Sequence, residues 1–404
     1  MGDVSWVYEI IMNTHSDMFR SRLQPERMQA IAAELVGVPS RTGDAKGALD
    51  CLGALLEGAG VGVERHEAGH PNAPAVVAWL DSGVAGPTLQ FNGHLDVVHL
   101  PYEAPRVEGR LLRGSGAADM KGGTAAAVEA FLAIRDAGGP PRGRLLLTAH
   151  DLHEAPWGDG RQLDALIQSG MVGDAVLIPE PLWTHLPVRG RGQACWLARV
   201  SRGGEAVHEV MHPAEEGYVN VALVELASRL AAWDRELRGE VDAIAGRSSV
   251  FLGQIHGGVL YNQSPQTGFV EGTRRWIPGV SRDEVERAMR ALVAETARAH
   301  GVGIALDYRL VRDAFQLDTD AGIVRAFQGA MESVVGHGLE LGPKMFVDDG
   351  NSFSSLAGVP AITHGPRAGG QHTTSEWVDL DDMARVARVY VETAARFWGD
   401  VGTP

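Results

Sequence analysis

The chain has 404 residues, 45% of them apolar and 22% charged, with a formal net charge of −15. That length exceeds one typical core, so two domains are expected, and the negative balance argues against nucleic acid or an anionic membrane surface as the main partner. Two cysteines, Cys51 and Cys195, make no disulfide framework; with no apolar run of membrane-spanning length and no basic-then-apolar leader pattern in residues 1–20, a cytoplasmic protein is expected.

Residues 25–36 and 47–59 carry apolar positions at helical spacing, the second segment closing at Gly58 or Gly60. Apolar runs at 74–80, 88–91, 144–148 and 175–178 predict strands, separated by helical patterns at 124–136 and 163–169. Such alternation predicts an α/β domain with helices on both faces of its sheet, and a site beyond the carboxyl ends of the strands. After Pro187 the texture changes: 196–200 and 249–255 read as strands of another sheet, and 218–233 as a helix. Ser281-Arg282-Asp283-Glu284 has capping-box spacing ahead of a helix to His300, with Val285, Met289, Leu292 and Val293 on one face. The block 189–305 is therefore expected to be an inserted α+β domain. The α/β texture then returns, with helices at 320–335 and 381–397 and a strand at 361–363, so 1–188 and 306–404 are expected to form one domain around the insertion.

Chemistry-bearing residues sit where strands end. Asn92-Gly93-His94-Leu95-Asp96 puts an imidazole and a carboxylate two positions apart, on one face of an extended segment, so Asp96 stands behind His94 and fixes its tautomer. Asp119 lies in the glycine-flanked Asp119-Met120-Lys121-Gly122-Gly123, Glu180 follows a strand in Pro179-Glu180-Pro181, and His372 comes late, in Gly370-Gln371-His372. With a further ligand from His150-Asp151-Leu152-His153-Glu154, these make a mixed imidazole and carboxylate donor set suited to Zn²⁺, and also to Mn²⁺ or Co²⁺. One carboxylate bridging two ions about 3.5–4 Å apart is an arrangement that activates water.

These motifs, spread over about residues 25–398, resemble the metallopeptidase family that includes aminoacylase, acetylornithine deacetylase, succinyl-diaminopimelate desuccinylase and glutamate carboxypeptidase. The resemblance implies a zinc-peptidase-like catalytic domain, with a mixed central sheet and flanking helices, and an inserted lid and dimerisation domain. It implies that His94 binds one metal with Asp96 behind it, that Asp119 bridges two metals, that Glu180 shares the first and that His372 binds the second. It further implies a homodimer in which His208, after its glycine pair, reaches across to stabilise the substrate oxyanion. Asn262 and Arg275 match features of the family that contact the substrate or the partner's site.

One departure stands out. The resemblance leads one to expect a Glu-Glu pair, base then ligand, after the third strand, and this chain has His153-Glu154-Ala155 instead. In one register Glu154 is a ligand and His153 holds the base position; in the other Glu154 is the base and Ala155 replaces the ligand, so that one ion or two bind per subunit. His150 and Asp151 would stand behind them. Val347-Asp348-Asp349-Gly350-Asn351-Ser352 departs as well, which points to a difference in substrate recognition. The expected activity is hydrolysis of an amide C–N bond in a small carboxylated molecule, such as an N-acyl amino acid or short peptide, by water activated at the metal. Arg189, Arg275 or Arg367 would pair with the carboxylate, and Trp157, Trp183 and Tyr102 are aromatic candidates for the lining. Two alternatives stay open: hydrolytic deamination of an aromatic amine, as in nitroanthranilate aminohydrolase, and a non-catalytic binding protein on the same fold.

Overall fold

The computed structural model describes residues 15–156 and 158–399. The chain divides into two compact units. One runs through Val188 and continues over Leu317–Gly342 and from Asp348 onward; the other comprises Arg189–Gln316 and Pro343–Val347.

The first unit is built on a six-stranded mixed sheet. Its strands are β1 (Val63–His66), β2 (Ala75–Asp81), β3 (Thr88–His94), β4 (Arg144–His150), β5 (Ala175–Ile178) and Ala361–Thr363, in the order β1-β2-β4-β3-β5 with Ala361–Thr363 at the far edge. β3 runs parallel to β4 and to β5, and β5 parallel to Ala361–Thr363, whereas β1 and β2 are antiparallel additions. The central strands are buried throughout, which is why they read as apolar runs rather than alternating ones.

Helix α1 (Pro25–Val36) opens on proline at its first position, where a missing N–H costs nothing. It buries Met28, Ile31, Ala32, Leu35 and Val36, the i, i+3, i+4, i+7, i+8 stripe of an amphipathic helix. Helices α2 (Lys46–Gly58), α3 (Gly122–Asp136) and α4 (Arg161–Gln168) complete the layers N-terminal to the insertion. Leu163, Leu166 and Ile167 of α4 pack on the side chains of Val77, Leu146, Val176 and Ile178. Phe91 points to the other face and meets the ring of Tyr390, on the late helix Leu380–Gly399, at 5.3 Å. Two glycines set how closely α3 approaches the sheet. A Cβ on Gly123 would lie 1.9 Å from the Pro179 carbonyl oxygen, and one on Gly93 2.6 Å from Thr124 Oγ1. The start of α3, carrying Asp119 just before it, is thereby held against the ends of β3 and β5.

The second unit contains a four-stranded antiparallel sheet of β6 (Gly192–Ser201), β7 (Ser249–Gly257), β8 (Thr267–Trp276) and β9 (Gly303–Arg312), in the order β7-β8-β6-β9. Helices α5 (Val219–Glu236) and α6 (Arg282–His300) cover one face, through Trp196, Ala198, Val200, Val250 and Val270 from the sheet and Leu223, Leu226, Met289 and Val293 from the helices. Two expectations are corrected here. The unit extends to Gln316 rather than ending at 305, because Gly303–Arg312 pairs residue by residue with β6. Ser281 occupies the N-cap of α6 but makes no side-chain capping hydrogen bond, so the capping-box spacing is not realised. Among the described residues no helix is long and apolar enough to cross a membrane.

Candidate active site

Polar side chains enter the first unit's core in a regular pattern. Gln90, Asn92 and His94 alternate along β3 and are at most 1% exposed. Asn92 pairs in register with Thr148 and His94 with His150 on β4. Gln90 donates to Thr148 Oγ1 (2.8 Å), and Thr148 Oγ1 to Asn92 Oδ1 (2.8 Å). A buried polar group must find partners, and this ladder meets that demand up to the strand end. There the demand is no longer met: His94 Nε2, Asp119 Oδ1, Glu180 Oε1 and Asp96 Oδ1 are buried without a hydrogen-bond partner.

The first three of these atoms face one another. His94 Nε2 lies 3.3 Å from Asp119 Oδ1 and 3.5 Å from Glu180 Oε1. The second Asp119 oxygen, Oδ2, lies 3.5 Å from His372 Nε2, which is 3.2 Å from Glu154 Oε2. Donor atoms on one tetrahedral zinc, with bonds of about 2.0–2.2 Å, sit about 3.3–3.5 Å apart. Both groups have that spacing, and Asp119 contributes one oxygen to each. Donor atoms also approach across that division: those of His94, Asp119 and Glu154 lie within 4.8 Å of one another, as do those of His94, His153 and Glu180. His372 reaches its place with φ 58°, and Leu152, just before His153, has φ 67°; both lie in the left-handed region that non-glycine residues seldom occupy.

The electrostatics point the same way. Burial, then the Asp119 charge, pushes the Glu180 carboxyl up to about 8, and the same two causes raise Glu154. The carboxylates Asp119 and Glu154 push His372 up to about 10. Burial opposes ionisation of Asp119, but His372 and His94 overcome it and hold the group below the carboxylate range. Crowding of buried carboxylates raises both glutamates because no cation offsets their charge, and a divalent ion would supply one. The donor set fits one.

Asp96 differs in detail from the sequence expectation. His94 Nδ1 is nearest the Asp96 carbonyl oxygen (3.1 Å), with Asp96 Oδ1 at 3.5 Å. The other carboxylate oxygen accepts from the backbone N–H groups of His153 (3.0 Å) and Glu154 (2.8 Å). Asp96 thus fixes the His153–Glu154 turn as well as standing behind His94. Asp151 accepts from the Gly43 and Ala45 N–H groups at 2.9 and 3.0 Å and anchors that loop. Lys121 is buried and donates to the Val38 carbonyl at 2.8 Å.

Two contacts of the site are not legible in the sequence. Glu376 accepts from the backbone N–H groups of Ala118 (3.1 Å) and Asp119 (3.3 Å), bracing the segment that carries Asp119. Asp349, expected to bear on substrate recognition, is instead fully buried against His150 and His153. Period-2 polar residues inside an apolar run were the available signal for the Asn92 side of this network; nothing local marks Asp349.

The second unit presents His208 and Asn262 together. β-pairing sets Val207 opposite Ser264 and His208 opposite Gln263, and Asn262 Nδ2 lies 3.2 Å from His208 Nε2. His208 is exposed. Arg275 lies half-buried on β8, opposite Gln193 and Ser249. Burial, then Arg191, lowers its pKa, and no carboxylate among the described residues pairs with it. Arg189 and Arg367 are corrected as carboxylate partners: Asp242 holds Arg189 at 2.7 Å and Asp379 holds Arg367. Trp183 lines a cavity of about 600 Å³ that no metal-group residue lines. The Tyr102 hydroxyl donates to the Gly37 carbonyl at 2.8 Å. Trp157 lies outside the described residues.

Comparison with known proteins places this geometry. The profile described as peptidase family M20/M25/M40 matches residues 90–396. The chain is similar to a succinyl-diaminopimelate desuccinylase of Alkalilimnicola ehrlichii, with 28% identity over 395 residues, 91% of this chain and 98% of the relative. Among solved structures it is similar to a tripeptidase from Staphylococcus aureus, at TM-score 0.75 and 20% identity, covering 93% of this chain and 99% of that one. It is also similar to a Bacillus subtilis protein titled a dinuclear metal binding peptidase, at TM-score 0.66 and 14% identity, covering 92% and 97%. At those identities the two structures speak for the fold.

Proposed function

The chain belongs to peptidase family M20/M25/M40, and from that membership we propose that this metal-dependent hydrolase of amide C–N bonds acts on a small carboxylated amide, an N-acyl amino acid or short peptide. Because a relative is named a succinyl-diaminopimelate desuccinylase, N-succinyl amino acids are the first to screen.

The observation that carries the proposal is the division of Asp119, one oxygen toward His94 and Glu180, the other toward His372 and Glu154. It supports two divalent ions per subunit, Zn²⁺ or Mn²⁺ with Co²⁺ also suited, and the register in which Glu154 is a ligand. Bound there, the ions supply Lewis acidity to water and to the scissile carbonyl. His153 occupies the base position, its Nε2 3.6 Å from Glu180 Oε1, and takes the proton that returns to the leaving amine. Glu376 and Asp96 hold Asp119 and the His153–Glu154 turn in place. Nothing in the site favours the aromatic-amine or the non-catalytic alternative.

The proposal extends to a homodimer formed through the second unit. β7 is an edge strand, and edge strands invite pairing. Phe251 (63%) and Ile255 (54%) on β7, with Val221 (53%) and Val224 (65%) on the adjoining α5, are exposed apolar side chains that a second copy would cover. In that assembly His208 and Asn262 serve the partner's substrate as oxyanion donors, and Arg275 meets its carboxylate. A cytoplasmic setting suits the two unpaired thiols, Cys51 and Cys195. The test is hydrolysis of N-acyl amino acids and dipeptides by protein loaded with Zn²⁺ or Mn²⁺. Turnover that a chelator abolishes is expected; a fully loaded protein that cleaves no amide would sink the reading.

A further inference from the structure

Asp349 sits deeper than any metal-facing carboxylate and serves three partners. Its Oδ1 lies 2.8 Å from His153 Nδ1, and its Oδ2 2.8 Å from both His150 Nε2 and Asn92 Nδ2. The residue is fully buried. Its position is fixed by the turn of helix Asp349–Ser352 that it opens. Asp348, the N-cap, accepts from the Gly350 N–H at 2.7 Å and from Thr363 Oγ1 at 2.8 Å, while its own N–H donates to Asn351 Oδ1 at 3.1 Å. The Asp348-Asp349-Gly350-Asn351 run therefore caps a helix with its first and fourth members and points the second at the histidines.

Asp349 Oδ2 accepts from the Asn92 amide and faces His150 Nε2, and a carboxylate only accepts hydrogen bonds, so the His153 nitrogen facing Oδ1 is the one that carries the proton. A neutral imidazole then has its lone pair on the other nitrogen, Nε2. That nitrogen faces the site: it lies 3.6 Å from Glu180 Oε1, and the His153 ring stacks on that of His94, centroids 3.9 Å apart and 8° from parallel. We propose that Asp349 is a positioning residue, which holds His153 as its Nδ1–H tautomer and presents an unprotonated Nε2 to the space bounded by His94, Glu180 and Asp119. The position where the resemblance leads one to expect a carboxylate base is thus filled by an imidazole with a buried carboxylate behind it. Asn92 donates to the other Asp349 oxygen, which also faces His150, and so anchors the carboxylate on the side away from His153.

The inference rests on the hydrolytic reading of this site, and its test can fail independently of that reading. Histidine ¹⁵N spectra are recorded at pH 9 on the metal-free, full-length protein without substrate, the His153 signals being assigned by their absence from His153→Gln. Wild-type protein should show His153 protonated at Nδ1; Nε2–H there overturns the proposal. Asp349→Asn keeps the size of the side chain but can turn an N–H toward Nδ1. It should move the proton to Nε2 and, in the metal-loaded enzyme, lower kcat by about 10–100-fold, the usual cost of removing such a supporting partner, with KM little changed. A folded Asp349→Asn protein that keeps the Nδ1–H tautomer, or keeps wild-type kcat, overturns it. If that variant does not fold, the wild-type spectrum alone decides.

Discussion

The two units carry their functional side chains in opposite ways. In the first, His94, Glu180 and Asp349 are nearly or wholly buried, and several atoms facing the common space have no hydrogen-bond partner. In the second, His208 is exposed, and its ring nitrogens already have neighbours in Asn262 and the Val210 N–H. A buried group with an unmet demand names its missing partner by its own chemistry, here a cation. An exposed group with its demand met locally does not, and its role rests on the neighbouring surface, the bare β7 edge and the apolar side chains of α5.

Breaking the first unit's arrangement should have the largest effect. Asp119→Asn removes the carboxylate shared by both donor groups, so turnover should vanish and bound metal fall, read by plasma mass spectrometry on folded protein. Glu154→Gln should lose one ion while keeping the other, and kcat should fall with it. An unchanged ion count in that variant would contradict the register in which Glu154 is a ligand.

The second unit is probed next. His208→Ala should lower kcat by about 10²–10³, as loss of an oxyanion donor does, with the metal content intact. Val224→Asp places a charge on an exposed helix face, where it should spare the fold; repeated across a two-fold interface it should yield monomer in sedimentation velocity, and lose activity if His208 works in trans. Retained activity in a monomer would separate His208 from the dimer.

The smallest effect is on stability. Glu180, raised to about 8, is stabilised in its protonated form. That contribution is complete below its ordinary value of 4.5 and is lost as pH rises through about 8. Glu154 has the same sign, as has His372, raised to about 10. The melting temperature of the metal-free protein should therefore fall between pH 5 and pH 8, and saturating Zn²⁺ should flatten that slope by replacing the protons. A metal-free protein that gains stability over the same range would remove the electrostatic argument for the cation.

Much of the first unit could be read from sequence because its signals are local. His94 and Asp96 are two positions apart, Asp119 precedes the glycines that let α3 approach β3 and β5, and β3, β4 and β5 are apolar runs of strand length. The contacts that complete the site are not local. Asp349 meets His153 across 196 positions and Glu376 meets Asp119 across 257, and only the sheet order β4-β3-β5 brings those loops together. The unit boundary was misplaced for the same reason: β9 belongs with β6, a partner about a hundred residues earlier, and its own alternation does not reveal which sheet it joins. Arg189 and Arg367 looked available as cations because their aspartate partners, Asp242 and Asp379, are distant in sequence.

The most direct test of the two-ion site is the metal content of the folded wild-type protein, dialysed after loading with Zn²⁺ and measured by plasma mass spectrometry. Asp119 serving both donor groups predicts close to two ions per chain. One ion or fewer in a folded protein would contradict it.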